Sequence, residues 1–198
     1  MSSAAIAPGS IESQWSLPYK GHVGMYCLIV AESSIFAIFV IAYIYYIGKS
    51  LSGPTPKQVL DVPIFATVCL WSSSLTIHLA VRALERAKQA VFRLLWLLTL
   101  ALGLTFLIYT GMEWYRLIYH DGLTLRTNLF GTTFYSLVGL HAFHVTVGLI
   151  GLFTILLLAI FGKIQPEHVK NVETFAMYWH FVDAVWVVVF TVVYIVGR

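Results

Sequence analysis

Apolar residues fill five long stretches of the chain, and polar residues, glycine and proline separate them. A membrane-spanning helix needs about 20 mainly apolar residues, and every stretch reaches that length. We predict five spans with these approximate bounds: 22–47, 61–81, 93–114, 128–161 and 173–196. The pattern therefore predicts an all-α, integral membrane bundle of five transmembrane helices. The bundle forms a single domain, residues 21–198, after a polar N-terminal tail, residues 1–20.

The composition supports residence in a membrane. Of the 198 residues, 59% are hydrophobic and 11% are charged, whereas soluble domains are typically about 25% charged. The net charge of +3 does not indicate nucleic-acid binding, because basic residues of membrane proteins mostly lie in loops and set orientation. Cys27 and Cys69 lie far apart inside apolar stretches, so we interpret them as small buried side chains and not as a metal pair. The tail lacks a cationic start before an apolar core, so we expect no cleavable signal peptide.

Lysine and arginine near the span ends predict the direction of the bundle. If the N-terminus is cytoplasmic, seven such residues lie on the inner side and five on the outer side. Four of the inner residues follow the second span, and these are Arg82, Arg86, Lys88 and Arg93. We therefore expect a cytoplasmic N-terminus. The same four residues are candidates for binding anionic lipid headgroups.

Five ionisable side chains lie inside the predicted spans, namely Glu32, His141, His144, His180 and Asp183. A charged side chain at the bilayer centre costs about 2.5–3.5 kcal/mol on insertion scales, so such residues face the bundle interior and find partners. The two pairs His141/His144 and His180/Asp183 are each spaced by three residues, so each pair shares a helix face. From its depth along the first span, we expect Glu32 to hydrogen-bond a histidine of the fourth or fifth span.

The residues alone leave three interpretations of these side chains open. They hydrogen-bond one another and fix helix packing, or they handle protons or lipid headgroups. Alternatively, the imidazoles of "HAFH" and "YWH" bind a metal or haem, since imidazole suits zinc, copper and iron. An independent metal- or haem-binding redox protein and a small transporter are therefore alternative functions, although the spans lack the breaks typical of transporters.

Two motifs in the last spans resemble subunit III of the haem-copper oxidases. The segment "YWHFVDAVW", residues 178–186, is similar to the Tyr-Trp-His-Phe-Val-Asp string, followed by Val-Trp, of that family's last helix. The segment "GLHAFHVTVG", residues 139–148, resembles the family's Gly-x-His-x-x-His-Val-x-x-Gly stretch. Weaker likenesses precede them in the family's order, in "AESSIF", "LWSSSLTIHLA" and "LGLTFLIYTGMEW". The resemblance covers about residues 20–198 in a short form that lacks the two N-terminal helices of seven-helix members.

The resemblance implies a function. Subunit III has no catalytic residue and no metal ligand of its own, and its partner subunits hold the haem and copper. It packs against the catalytic subunit I, holds phospholipid, supports proton uptake and protects the oxidase during turnover. The five ionisable side chains named above would then form a buried polar cluster. The expected location is the bacterial cytoplasmic membrane, in aerobic electron transport. Subunit III of a quinol oxidase and an accessory protein of nitric oxide reductase are alternatives of the same fold.

Overall fold

The computed structural model describes residues 19–50 and 52–197. The tail predicted for residues 1–20 therefore lies almost wholly outside the described residues. Labels follow the chain, and the six α-helices are α1 Lys20–Tyr46, α2 Pro56–Val59, α3 Ile64–Glu85, α4 Gln89–Tyr119, α5 Leu129–Ile160 and α6 Val169–Phe190. A 3-10 turn, Pro166–His168, precedes α6, and a π-helix, Thr191–Val196, continues it. The described residues contain no β-strand.

Five of these helices, all except the four-residue α2, are long and apolar enough to cross a membrane. The prediction of an all-α bundle with five spans is confirmed. The start of α1, the α3–α4 turn and the start of α6 lie at one end of the bundle, which we call the α3–α4 end. The α1–α3 connection, the α4–α5 loop and the π-helix lie at the other end, which we call the α4–α5 end.

The connection between the second and third spans is shorter than hydropathy suggests. The sequence pattern ends one span at residue 81 and begins the next at 93, but α3 runs to Glu85 and α4 begins at Gln89. The turn between the two helices contains Ala87, whose φ of 56° is in the left-handed region that non-glycine residues seldom adopt. Hydropathy ends each span early because charged side chains occupy the helix ends. Arg82 and Arg93 therefore lie on helices and not in a loop.

Helices α5 and α6 lie at the centre of the bundle. Helix α6 contacts α1, α3 and α5, while α5 contacts α1, α4 and α6, and α3 pairs with α4. The first helix is peripheral, and Phe36 and Tyr43 are its two buried residues. The faces of α1 that do not meet α5 or α6 are therefore left for lipid or for another protein.

The indole ring of Trp179 is completely buried where four helices meet. Its Nε1 donates a hydrogen bond of 2.9 Å to Ser73 Oγ on α3. On α4 and α5 the ring lies against glycines, since a Cβ built on Gly103 would be 2.8 Å from the ring and one on Gly148 would be 2.7 Å from it. Small residues permit this close approach of helices in membranes. The two glycines therefore make the space that Trp179 fills.

Adding a methyl group beside this ring should destabilise the bundle. We expect Gly148→Ala to lower the free energy of unfolding by about 1–3 kcal/mol, the usual effect of overpacking a tight interior. The matched control is Gly111→Ala, at another helical glycine where a Cβ would meet no atom within 4 Å. Thermal unfolding of both variants in mild detergent makes the comparison. Equal midpoints for the two variants would contradict this account of Trp179.

Candidate functional site

The structure divides the five sequence-predicted ionisable residues into three groups. Glu32 pairs with His144 between α1 and α5. His180 and Asp183 both contact Ser74 on α3. His141 lies apart from these hydrogen bonds. Within the described residues, no hydrogen bond joins one group to another, because α5 presents its polar side chain to α1 whereas α6 presents its own to α3.

His144 on α5 and Glu32 on α1 form a hydrogen bond. The Nδ1 atom of His144 lies 2.8 Å from the carbonyl oxygen of Leu140, which can only accept, so Nδ1 carries a hydrogen. The Nε2 atom lies 3.1 Å from Glu32 Oε2. Each of the two polar side chains thus has a partner, which limits the free-energy cost of its position in the membrane.

An apolar groove of about 420 Å³ runs between α1 and α6 beside this pair. Phe36 lies at one side of it, and its ring centroid is 5.0 Å from that of His144. The groove is lined almost entirely by aliphatic and aromatic side chains, namely Ser33, Phe36, Ala37, Val40, Ile41, Phe181, Ala184, Val185, Val188 and Val189.

Asp183 and His180 both contact the hydroxyl group of Ser74. The hydroxyl of Ser74 donates to Asp183 Oδ2, and Ser74 Oγ lies 3.1 Å from His180 Nδ1. Asp183 is 5% exposed, and its Oδ1 is buried without a hydrogen-bond partner in the described part of the chain. His180 is half-buried and reaches the lining of a cavity.

His141 is enclosed by aromatic rings. Its side chain is 1% exposed, and neither ring nitrogen has a hydrogen-bond partner among the residues described. The imidazole stacks on Trp186, with centroids 4.9 Å apart and planes inclined by 28°, and the rings of Phe106 and Phe36 meet it edge-on. Although His141 and His144 share the buried side of α5, their surroundings differ completely. Over residues 19–50 and 52–197, no three His, Cys, Asp or Glu side chains are placed to hold a metal ion.

The four basic candidates for headgroup binding lie at the α3–α4 end, where all of them are exposed. Arg82 lines a cavity of about 410 Å³ between α3 and α6, together with His78, Glu85, Glu173 and His180. Arg86 and Lys88 flank the turn at Ala87, and Arg93 Nε lies 3.4 Å from the carbonyl oxygen of Gln89 one turn earlier.

Sequence reasoning did not identify a polar network at the α4–α5 end. Arg116 forms an ion pair with Asp61 and donates a 2.8 Å hydrogen bond to the carbonyl oxygen of Val59. One turn away, Glu113 Oε2 accepts a 3.0 Å hydrogen bond from the hydroxyl of Tyr194 in the π-helix. The available signal was the presence of opposite charges at the facing ends of two consecutive spans.

The chain was compared with known proteins. Residues 19–198 match the family described as Cytochrome c oxidase subunit III. The chain belongs to this family. It is 32% identical to cytochrome c oxidase subunit 3 of Alkalihalophilus pseudofirmus over 88% of this chain and 86% of the relative. It is 33% identical to the Synechocystis protein of that name over 95% and 81%, and 26% identical to a probable quinol oxidase subunit 3 of Staphylococcus saprophyticus over 88% of each.

Membership in the subunit III family confirms the resemblance drawn from the motifs. The structure also shows what the side chains of the last motif, residues 178–186, contact. Tyr178 donates a 3.1 Å hydrogen bond to the carbonyl oxygen of His144 on α5. Trp179 and Asp183 contact adjacent serines of α3, and Trp186 Nε1 lies 3.2 Å from Thr67 Oγ1 of the same helix. The polar members of the motif thus join α6 to two neighbouring helices.

The Glu32–His144 pair should show energetic coupling. We expect Glu32→Leu and His144→Leu each to destabilise the bundle by about 1–3 kcal/mol, because each leaves the partner's polar atom without its hydrogen bond. The double variant should lose less than the sum, with a coupling energy of about 0.5–3 kcal/mol. Thermal unfolding in mild detergent measures the cycle. Ser33→Ala is the control, since Ser33 Oγ bonds only its own helix at Ile29. Strict additivity would show that the pair contributes no interaction.

Proposed function

We propose that this chain is the non-catalytic subunit III of a bacterial haem-copper terminal oxidase of the cytochrome c oxidase type. In this proposal it lies in the cytoplasmic membrane, packs against the catalytic subunit I and works in aerobic electron transport. The observation that carries the proposal is the family match over residues 19–198. The names of several relatives at about 30% identity support cytochrome c oxidase as the parent complex.

The intramembrane polar atoms bond other helices of the same chain, and this supports an accessory role. Tyr178, Trp179 and Trp186 direct their polar atoms to α3 and α5 within the same chain. Hydrogen bonds between helices add to packing in membranes, where burial of apolar surface drives helix association only weakly. These groups stabilise the bundle, and the haem and copper of the oxidase would then belong to its partner subunits.

Two surfaces support lipid binding in this proposal. The groove between α1 and α6 would hold an acyl chain along its apolar lining. At the α3–α4 end, four exposed basic residues would attract anionic headgroups, namely Arg82, Arg86, Lys88 and Arg93. The electrostatic attraction contributes about 1 kcal/mol of binding free energy per basic residue near the membrane surface.

Subunit III of a quinol oxidase is the second candidate. The observation that favours it is the relative from Staphylococcus saprophyticus, which covers as much of this chain as the Alkalihalophilus protein does. The two candidates share the fold and the proposed accessory role. The electron donor that reduces the purified complex, cytochrome c or quinol, distinguishes them.

We propose that the N-terminus is cytoplasmic, because lysine and arginine are in excess at the α3–α4 end and such residues favour the cytoplasmic side. The exposed Lys88 in the turn between α3 and α4 provides the test. In a background in which Cys27 and Cys69 are replaced by serine, Lys88→Cys should react with an impermeant maleimide only after the cells are opened. The matched control is Lys57→Cys at the other end, which should react in intact cells. Reaction of Lys88→Cys in intact cells would reverse the orientation.

Loss of Asp183 should shorten the working life of the oxidase and leave its chemistry intact. Asp183→Ala leaves the hydroxyl of Ser74 without its buried partner, a loss of about 1–3 kcal/mol that loosens the surface offered to the catalytic subunit. We expect the purified complex to keep normal haem spectra and a near-normal initial rate. Its activity should then decay faster over many turnovers, or this chain should dissociate in detergent.

The control for this experiment is Thr146→Ala, which removes an exposed hydroxyl that bonds only its own helix at Ala142. Gel analysis of the purified complex shows whether the subunit is still present. If Asp183→Ala abolishes the first turnover while the subunit stays bound, the accessory role is wrong.

A further inference from the structure

A polar cavity opens at the α3–α4 end between α3 and α6. Its volume is about 410 Å³, and five of its lining side chains are titratable or charged, namely His78, Arg82, Glu85, Glu173 and His180. Four of the five are exposed, while His180 is half-buried. His180 therefore stands between the solvated mouth of the cavity and the interior of the bundle.

When Asp183 carries no proton, the hydrogen bonds inward from His180 have one direction. The hydroxyl hydrogen of Ser74 is donated to Asp183 Oδ2, so Ser74 Oγ can only accept from its other neighbour. That neighbour is His180 Nδ1, at 3.1 Å, which must then carry a hydrogen. The order of donation is thus His180 to Ser74 to Asp183, from the cavity towards the interior.

Asp183 is the end of this path. It is 5% exposed, and its Oδ1 is buried without a partner among the described residues. No hydrogen bond in this part of the chain continues from Asp183 to the Glu32–His144 pair or to His141. A buried carboxylate that has one hydrogen bond is unfavourable in an apolar surrounding, and a bound proton removes its charge.

We propose that His180 and Ser74 relay protons between the cavity and Asp183, so that Asp183 is a reversible protonation site served from one end of the bundle. A proton from water in the cavity binds His180 Nε2, and the Nδ1 proton passes to Ser74 Oγ. Ser74 gives its own hydroxyl proton to Asp183 Oδ2. One proton moves from water to the carboxylate, and His180 is left neutral with its hydrogen on Nε2.

The same path serves for release. Asp183 returns its proton to Ser74, Ser74 returns one to His180 Nδ1, and Nε2 gives its proton back to the cavity. The original tautomer is restored without rotation of the imidazole ring. Protons therefore reach and leave Asp183 through the same cavity, and the carboxyl group can be protonated and deprotonated repeatedly.

Other charged groups near the path lie at its mouth or are engaged elsewhere. On α3 and α6, Arg82, Glu85 and Glu173 surround the opening. From α1, His22 Nε2 lies 3.8 Å from Glu173, also at the mouth. Helix α5 supplies no hydrogen bond to the relay. Carboxylates at an opening raise the local concentration of protons, which favours loading from this side.

Infrared spectroscopy of the full-length chain in lipid vesicles tests the relay. The carbonyl stretch of a protonated carboxyl group should appear at low pH, and Asp183→Asn should remove it, while Glu32→Gln identifies any band from Glu32. After transfer to D₂O the Asp183 band should shift rapidly. In His180→Phe and in Ser74→Ala its exchange should slow roughly tenfold or more, equivalent to about 1.4 kcal/mol in the barrier.

Ser72→Ala is the matched control, since Ser72 is an exposed serine on α3, and its exchange should equal that of the unmodified chain. If His180→Phe fails to fold, as judged from the amide bands, Ser74→Ala decides alone. Absence of an Asp183-dependent band at every pH at which the chain is folded would overturn the proposal. So would unchanged exchange in Ser74→Ala. Because no oxidase activity is measured, this result is independent of the proposed function.

Discussion

The insertion of Trp179 between Gly103 and Gly148 sets the spacing on which the other contacts depend. Lipid chains are as apolar as leucine, so close packing and hydrogen bonds hold membrane helices together. The ring fills a space between α4 and α5, while its Nε1 reaches α3. Asp183 lies four residues later on the same helix, and it meets the serine that follows Ser73. The position of the buried carboxyl group thus follows from the position of the indole.

This arrangement explains why a helix used for packing carries polar residues. Replacing them by valine or leucine would remove the specific contacts that fix the rotation of α6 against α3 and α5. A rotation of α6 would alter the surface that the bundle presents to other subunits. His180 and Asp183 belong to the same set of contacts, but they also connect with a cavity. One motif thus supplies both packing contacts and a hydrogen-bonded path from a cavity to a buried carboxyl group.

The number and order of the spans could be predicted because hydropathy over about 20 residues depends on the chain alone. The partners of the polar residues could be predicted only partly. Periodicity shows that His141 and His144 share a helix side, but not that one meets Glu32 and the other meets Trp186. The ion pair of Arg116 with Asp61 joins residues 55 positions apart, so helical periodicity does not show it, and only the opposite charges at the facing ends of two consecutive spans indicate it. Which helices are neighbours is a property of the whole bundle.

The lengths of the helices relate the protein to the thickness of its membrane. Helix α3 has 22 residues and is about 33 Å long at ~1.5 Å per residue, close to the hydrocarbon thickness of about 30 Å. Helices α4 and α5, with 31 and 32 residues, are about 46–48 Å long, so they tilt or extend beyond the hydrocarbon. The two ends of α3 therefore lie close to the boundaries between hydrocarbon and water. His78, Arg82 and Glu85 all lie in its last two turns, so a thicker bilayer would draw them towards the hydrocarbon and a thinner one would leave them hydrated.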